Sequence, residues 1–397
     1  MKKRIGLVGF GCVGQGFYEI IENQDGSDLE IIKIAVKNKK ARSAPNELFV
    51  YDIFEILNDT SVDVIVELID DAQVAFKIAK HALNRGIPII SANKKMIAEN
   101  LGELIKLQQK NDTPLLYEGA VCGAIPIIQS INDYFKYDEI QTVEGIFNGS
   151  SNYILSKIFN EKLSYEEALS EAQELGFAET DPTLDVGGFD PAFKLSIISK
   201  HAFDFAIEPS AILNIGIDQL TQSEFQFAQD NDLKIKLIAK AKKVKNAISF
   251  IVAPFFVQKS EELYSLENEN NGVLVSTTYA DKQLLIGKGA GSYPTGVAVF
   301  SDLKKLLTGY AYSYEELERK AGDTLVTAYI KHKGNAQELS AFENIHERYN
   351  GKDYNYISGK ISTQKLSELA RLADVHIVLL SEKSTAHIVN QLTYSYA

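Results

Sequence analysis

Cysteine is scarce in this chain of 397 residues, and Cys12 and Cys122 are the only two. Two are too few for a disulfide framework. Neither lies in a CxxC or Cys/His cluster, so no structural zinc is implied. Basic residues are also in deficit, 41 against 53 acids, for a formal charge of -12 and a pI near 5.2. That balance argues against nucleic acid or an anionic membrane surface as the main partner and leaves small molecules as the default. No apolar run approaches the length of a membrane span. The opening MKKRIGLVGFGCVGQGF has the basic start and apolar run of a signal peptide, yet Gly6, Gly9, Gly11, Gly14 and Gly16 interrupt it and no convincing cleavage site follows. A cytoplasmic, unprocessed and unanchored protein is expected.

What is present is the composition of a soluble globular chain, 45% hydrophobic and 24% charged, long enough for two or three domains. Arg4 to Val8 reads as a short apolar strand, and Gly9-Phe10-Gly11-Cys12-Val13-Gly14 leads from it into the helical run FYEIIEN. This is GxGxxG in its working context. The first glycine allows the tight turn, the second lets a pyrophosphate approach the backbone, and the third lets helix and strand pack closely. LEIIKIAVK, DVIVELI, IPIISAN and PLLYEGA continue as strands, with helices between them. Strands that are apolar throughout predict a doubly wound parallel sheet covered on both faces, a Rossmann domain over residues 1–135.

The second strand ends without the acid that holds the ribose 2′-hydroxyl of NAD; Lys37, Lys39, Lys40 and Arg42 stand there instead. Such a patch suits a 2′-phosphate, so NADP(H) is the expected cofactor with NAD(H) as the alternative. An ordinary solvated loop is the competing reading. The strand before Ser91-Ala92-Asn93-Lys94-Lys95 places Lys94 where cofactor or substrate would bind, unless it is a plain surface lysine.

Residues 136–300 read as an α+β catalytic and dimerisation domain, and residues 301–321 as a helical segment returning to the first. TVEGIFNGSSNYIL is a strand, a polar turn and a helix; Ser164 with Glu167 forms a capping box, and Gly176 stops the helix it begins. The stretch 172–194, AQELGFAETDPTLDVGGFDPAFK, then crowds Glu179, Asp181, Asp185 and Asp190 into a glycine- and proline-broken loop ahead of Lys194. On a bland reading Asp190 caps a helix beginning at Pro191 and pairs with Lys194 at the surface.

Six blocks in order, GFGCVGQG, SANKKMIA, YEGAVCGAIPII, NGSSNYIL, the acidic loop ending DPAFK, and GAGSYPTGVAVFSDL, make the chain resemble the homoserine dehydrogenase family over roughly residues 1–310. The resemblance implies NAD(P)-dependent interconversion of L-aspartate 4-semialdehyde and L-homoserine, on the way to threonine and methionine. It makes Lys194 the proton donor and acceptor, Lys94 a second active-site lysine, and Glu179, Asp185 and Asp190 substrate-side acids. Gly9, Gly11, Cys12, Val13, Gly14, Lys37, Lys94, Gly149 and Gly291 would hold the cofactor. Glu118 and the carbonyls of Val121, Gly123 and Ile125 would hold a sodium ion, and a homodimer or homo-oligomer is implied. Where the family turn reads GTTN, this chain has Gly149-Ser150-Ser151-Asn152, which keeps the hydroxyls.

The tail, residues 322–397, departs further. TLVTAYIKH, YNYISGKI and VHIVLLS read as strands and FENIHERY and TQKLSELARLAD as helices, a β-α-β-α-β unit one strand short of an ACT module. A truncated ACT-like unit and a purely structural extension both fit. Two rivals to the family reading are another NADP-linked reductase of a small amino-aldehyde or oxo acid, and a dinucleotide-sensing regulator. The set Lys94, Glu179, Asp190 and Lys194 speaks against a sensor.

Overall fold

The structure is a computed structural model that describes residues 2–24, 28–40, 42–315, 319–333, 341–351 and 354–395. The chain divides into two compact units, Met1–Asp138 with Ser196–Glu208 and Gly287–Leu317, and Glu139–Leu195 with Pro209–Ile286 and Glu318–Ala397. Among the described residues no helix is long and apolar enough to cross a membrane.

The first unit is built on β1 (Lys3–Val8), β2 (Leu29–Ala35), β3 (Phe49–Val50), β4 (Val64–Glu67), β5 (Ile89–Ser91) and β6 (Leu115–Leu116). All pairings are parallel, in the order β3-β2-β1-β4-β5-β6. Every residue of β4, β5 and β6 is buried, as strands covered on both faces require. Helices Cys12–Glu22, Ala72–Asn84 and Lys94–Asn111 make the crossovers. Side chains start two of them: Asp71 accepts from the amides of Gln73 and Val74, and Asn93 from that of Met96. The order reverses between β1 and β4, which opens a crevice beyond their carboxyl ends. Helix Ser292–Leu306 belongs to this unit and packs on Cys12–Glu22. A Cβ on Gly16 would lie 2.6 Å from the Ser292 carbonyl oxygen, so that contact needs a glycine.

The second unit is organised on one mixed sheet. Its strands are β7 (Ile140–Ile146), β8 (Leu213–Asn214), β9 (Leu233–Val244), β10 (Ala247–Gln258), β11 (Asn270–Thr277), β12 (Lys282–Lys288), β13 (Lys320–Ala321), β14 (Leu325–His332), β15 (Phe342–Asn350), β16 (Asn355–Ser362) and β17 (His376–Leu380). They run in the order β12-β11-β7-β9-β10-β17-β14-β16-β15, with β8 and β13 pairing off β10. The lysine-rich segment LKIKLIAKAKKV alternates apolar and basic residues at the period of a strand, and it forms β9, pairing with β10 along its length. Acids on neighbouring segments neutralise it: Glu267 faces Lys234 and Lys236, Glu144 lies 2.6 Å from Lys240, and Glu139 pairs with Lys243.

One sequence expectation fails in the tail. FENIHERY is not a helix but most of β15, so the tail has four described strands in the order β17-β14-β16-β15. Phe342, Ile345 and Tyr349 fit a helical period, and only the partner strand decides otherwise. β15 pairs antiparallel with β16, the Tyr349 and Tyr356 rings stack at 5.3 Å, and the Tyr356 hydroxyl donates to Glu347. Through β17 the tail continues the sheet from β10.

Candidate active site

The turn after β1 shows why each glycine of the motif is needed. Gly9 has φ +100°, and a Cβ there would sit 2.5 Å from the Leu68 carbonyl oxygen. A Cβ on Gly14 would be 2.4 Å from the Gly9 oxygen, whereas nothing lies within 4 Å of that position on Gly11. The first and third glycines therefore serve packing and the second leaves room for a ligand. Gly11 gives the following helix no side-chain cap, so the first-turn amides are offered to an anion.

This turn opens on a cavity of about 720 Å³ lined by Gly9, Gly11, Cys12 and Val13 on one side and by Lys37, Lys40 and Arg42 on another. Arg42 lies over the Phe49 ring at 5.1 Å and donates to the carbonyls of Lys40 and Asn38. Lys39 turns to the Tyr51 ring instead. Gly291, at φ +124°, heads the helix whose Ser292 hydroxyl donates to the Cys12 carbonyl, which puts it against the same turn. Lys94 is the first residue of its helix and half-buried.

Glu118 is fully buried, and its two carboxylate oxygens accept from the amides of Ile128 and Gln129 at the start of helix Ile127–Asp133. Asp302 accepts from the Glu118 amide. Burial first, and then the Asp302 charge, pushes Glu118 up to about 8; burial pushes Asp302 up to about 7. Cys122 and Gly123 turn the intervening loop with φ near +50°, and the Ala124 amide donates to the Lys288 carbonyl. Among the described residues no cluster of three or more His, Cys, Asp or Glu could take a metal ion. One carboxylate with backbone carbonyls suits a weakly held monovalent cation rather than a transition metal.

The second unit holds the lysine and acids of the 172–194 stretch. Helix Phe189–Phe203 begins one residue before Asp190, so Asp190 is inside its first turn and is not its cap. Nor is the pair at the surface: the side chains of Lys194 and Asp190 are only 7% and 3% exposed. The Lys194 ammonium donates to Asp190 Oδ2 at 2.8 Å and to the Phe147 carbonyl at 2.7 Å. Asn148, which no sequence signal singled out, joins the group. Its Oδ1 accepts from the Ser151 amide and caps helix Gly149–Glu161, while its Nδ2 donates to Asp185 Oδ1 at 2.7 Å and to Asp190 Oδ2 at 3.0 Å. A strand end, a helix cap and two residues of the acidic stretch thus orient one buried ammonium.

Glu179 does not join them; it is exposed, and its carbonyl accepts from Gln173. The hydroxyls of Ser150 and Ser151 bond to the carbonyls of Phe177 and Asn148. Gly149 is needed because a Cβ would lie 2.7 Å from the Glu269 carbonyl oxygen.

A dinucleotide crevice and a separate buried Lys–Asp centre are the parts of an alcohol dehydrogenase, and the comparisons agree on which. Residues 9–118 match the model of the homoserine dehydrogenase NAD-binding domain, and residues 126–303 match the homoserine dehydrogenase model. The homoserine dehydrogenase of Bacillus subtilis is 34% identical over 310 residues, 76% of this chain and 72% of its own length. The chain belongs to the homoserine dehydrogenase family. Among solved structures, a homoserine dehydrogenase from Thiobacillus denitrificans matches with a TM-score of 0.84 at 26% identity, covering 96% of this chain and 98% of its own. That of Staphylococcus aureus matches at 0.76 and 31% identity over 96% and 100%. As a homoserine dehydrogenase, the chain is an NAD(P)-dependent oxidoreductase acting on a CH–OH group, and the rival readings of sensor and unrelated reductase fall away.

Proposed function

We propose that Lys194 is the group that gives and takes the proton when L-aspartate 4-semialdehyde and L-homoserine interconvert. The buried ammonium held by Asp190 and the Phe147 carbonyl carries this reading. The dinucleotide, when bound, supplies the hydride to the aldehyde carbon. As that C–H bond forms, the carbonyl electron pair moves to oxygen, and Lys194 passes it a proton to complete the alcohol. A lysine ammonium has three protons, and the two bonds above leave one for the substrate. In the reverse direction neutral Lys194 takes the hydroxyl proton.

Asp190 is a positioning residue, since its Oδ2 accepts from both Lys194 and Asn148. Asp185, half-buried beside Asn148, and the exposed Glu179 would meet the substrate ammonium. Lys94, the first residue of its helix, is the second active-site lysine, close to cofactor and substrate. Lys37, Lys40 and Arg42 favour NADPH, and the support is that all three line the glycine-turn cavity. Glu118 with the carbonyls of Val121, Gly123 and Ile125 would hold a sodium ion that balances the buried charge of Glu118 and Asp302, without entering the reaction. The tail is ACT-like, which the order β17-β14-β16-β15 supports, since it is that of a split β-α-β sheet. A cytoplasmic homo-oligomer completes the reading.

The test follows NADPH absorbance with aspartate semialdehyde in wild type and Lys194→Ala. A fall in kcat of roughly 10²–10⁴-fold with NADPH affinity kept is expected. Near wild-type kcat would move the proton to Lys94 or to water.

A further inference from the structure

Glu67, the last residue of β4, is fully buried and heads a ring of hydrogen bonds at the carboxyl edge of the parallel sheet. Its Oε1 accepts from the Ile69 amide at 2.7 Å and its Oε2 from the Ser91 hydroxyl at 2.5 Å. Ser91, the last residue of β5, in turn accepts from the Asn93 amide. Asn93 closes the ring by donating to the Ile69 carbonyl, and its Oδ1 caps the helix that Lys94 begins. With Glu67 ionised, the Ser91 hydroxyl donates to one carboxylate oxygen while its own oxygen accepts from the Asn93 amide, and the Ile69 amide donates to the other carboxylate oxygen.

A brace alone would be made more cheaply by a neutral side chain, because a buried carboxylate with no cation bonded to it is costly. The ring also joins two functional parts. On one side is the Leu68–Asp71 segment, which lines the glycine-turn cavity and whose Leu68 carbonyl approaches Gly9. On the other is the first turn carrying Lys94.

We propose that Glu67 is a positioning residue whose carboxylate, acting through Ser91 and Asn93, fixes Lys94 and the β4-side wall of the cofactor cavity. The proposal rests on the reading of Lys94 as an active-site lysine. β1 sets Val8 against Glu67, β5 sets Ser91, the following loop brings Asp70, and the capped helix brings Lys94 as its first charged group. Burial raises Glu67 to about 7; the Ser91 and Ile69 bonds oppose this and the Asp70 charge adds to it. The bonds from Ser91 and Ile69 are charge-assisted, and the ring most tightly held, when Glu67 is ionised, so kcat at saturating substrates rises as pH rises through that region.

The experiment measures kcat from pH 5.5 to 9 on the full chain in wild type, Glu67→Gln, Ser91→Ala and Lys94→Ala, with melting temperature alongside. Glu67→Gln is expected to lose roughly tenfold or more in kcat, the scale of a lost charge-assisted hydrogen bond, and to lose the limb near pH 7. Ser91→Ala removes a bond that favours the carboxylate, so its limb moves to higher pH. That arm stands even where Glu67→Gln fails to fold. A limb that persists in Glu67→Gln, or one unmoved in Ser91→Ala, overturns the proposal. A purely structural Glu67 would change melting temperature and leave the kcat profile in place. Wild-type turnover in Lys94→Ala would instead sink the Lys94 reading while the Glu67 limb remained measurable.

Discussion

Replacing Asp190 by Asn isolates the charge from the geometry of the lysine centre. The amide oxygen can stand where Oδ2 stands and still accept from Lys194, at 2.8 Å, and from Asn148, at 3.0 Å. What is lost is the negative charge beside a buried ammonium. With the Lys194 and Asp190 side chains 7% and 3% exposed, solvent screens little of that loss. Breaking a buried pair by removing one partner costs roughly 3–5 kcal/mol, because the other charge is left uncompensated. The protein takes this from folding stability, or Lys194 sheds its proton and the cost becomes one of rate. The expected outcome is a kcat for semialdehyde reduction lower by roughly 10²–10³-fold, within the range for losing a general acid, with NADPH affinity nearly intact. The assay combines steady-state turnover, NADPH fluorescence titration and a melting curve. Wild-type turnover, or NADPH affinity that falls in step with kcat, would refute the assignment of Asp190 to the lysine.

Other outcomes follow from the same structure. Arg42→Ala and Lys37→Ala should each lower the NADPH-over-NADH ratio of kcat/KM by roughly tenfold, the scale of one charged hydrogen bond; equal losses with both cofactors would make the patch a plain solvated loop. His201, fully buried, accepts from Asn132 and bonds the Tyr117 hydroxyl, and burial, with a smaller push from the Lys200 charge, depresses it to about 3. Below its ordinary value of 6.5 the unfolded chain binds a proton that the fold refuses, so stability is lost as pH falls from 6.5 toward 3, at up to about 1.4 kcal/mol per pH unit. His201→Gln should flatten that part of a urea-midpoint-against-pH curve, and an unchanged slope would place the acid sensitivity elsewhere. Ending the chain at residue 321 should not give a soluble, active remainder. It strips β17 from β10 and removes Ala328, Ile330, Ile377 and Leu379 from the cluster that includes Ile251, Ala253 and Phe255. A truncated protein with wild-type melting temperature would show the tail to be dispensable.

Residues Gly9, Gly11 and Gly14 and the uniformly apolar strands are local facts, and they sufficed for the parallel sheet and the cofactor turn. Backbone conformation at a glycine and burial on both faces leave their mark on neighbouring letters of the sequence. Ser164 with Glu167 and the stop at Gly176 were legible for the same reason, and both are present. Long-range pairing decided the rest. FENIHERY has a helical period but becomes β15 because β16 offers hydrogen bonds and Tyr356 offers a ring face. LKIKLIAKAKKV alternates as a strand does, but the acids that pair with its lysines come from segments distant in sequence. Asp190 and Lys194 are four residues apart in any helix, yet nothing in that spacing says the pair is buried. Their burial comes from Phe147 and Asn148, which reach them across more than forty residues of chain. The Glu67 ring is the same case, since Ser91 lies 24 residues away. A buried charge is set by which distant donors the fold brings to it, and no local pattern records them.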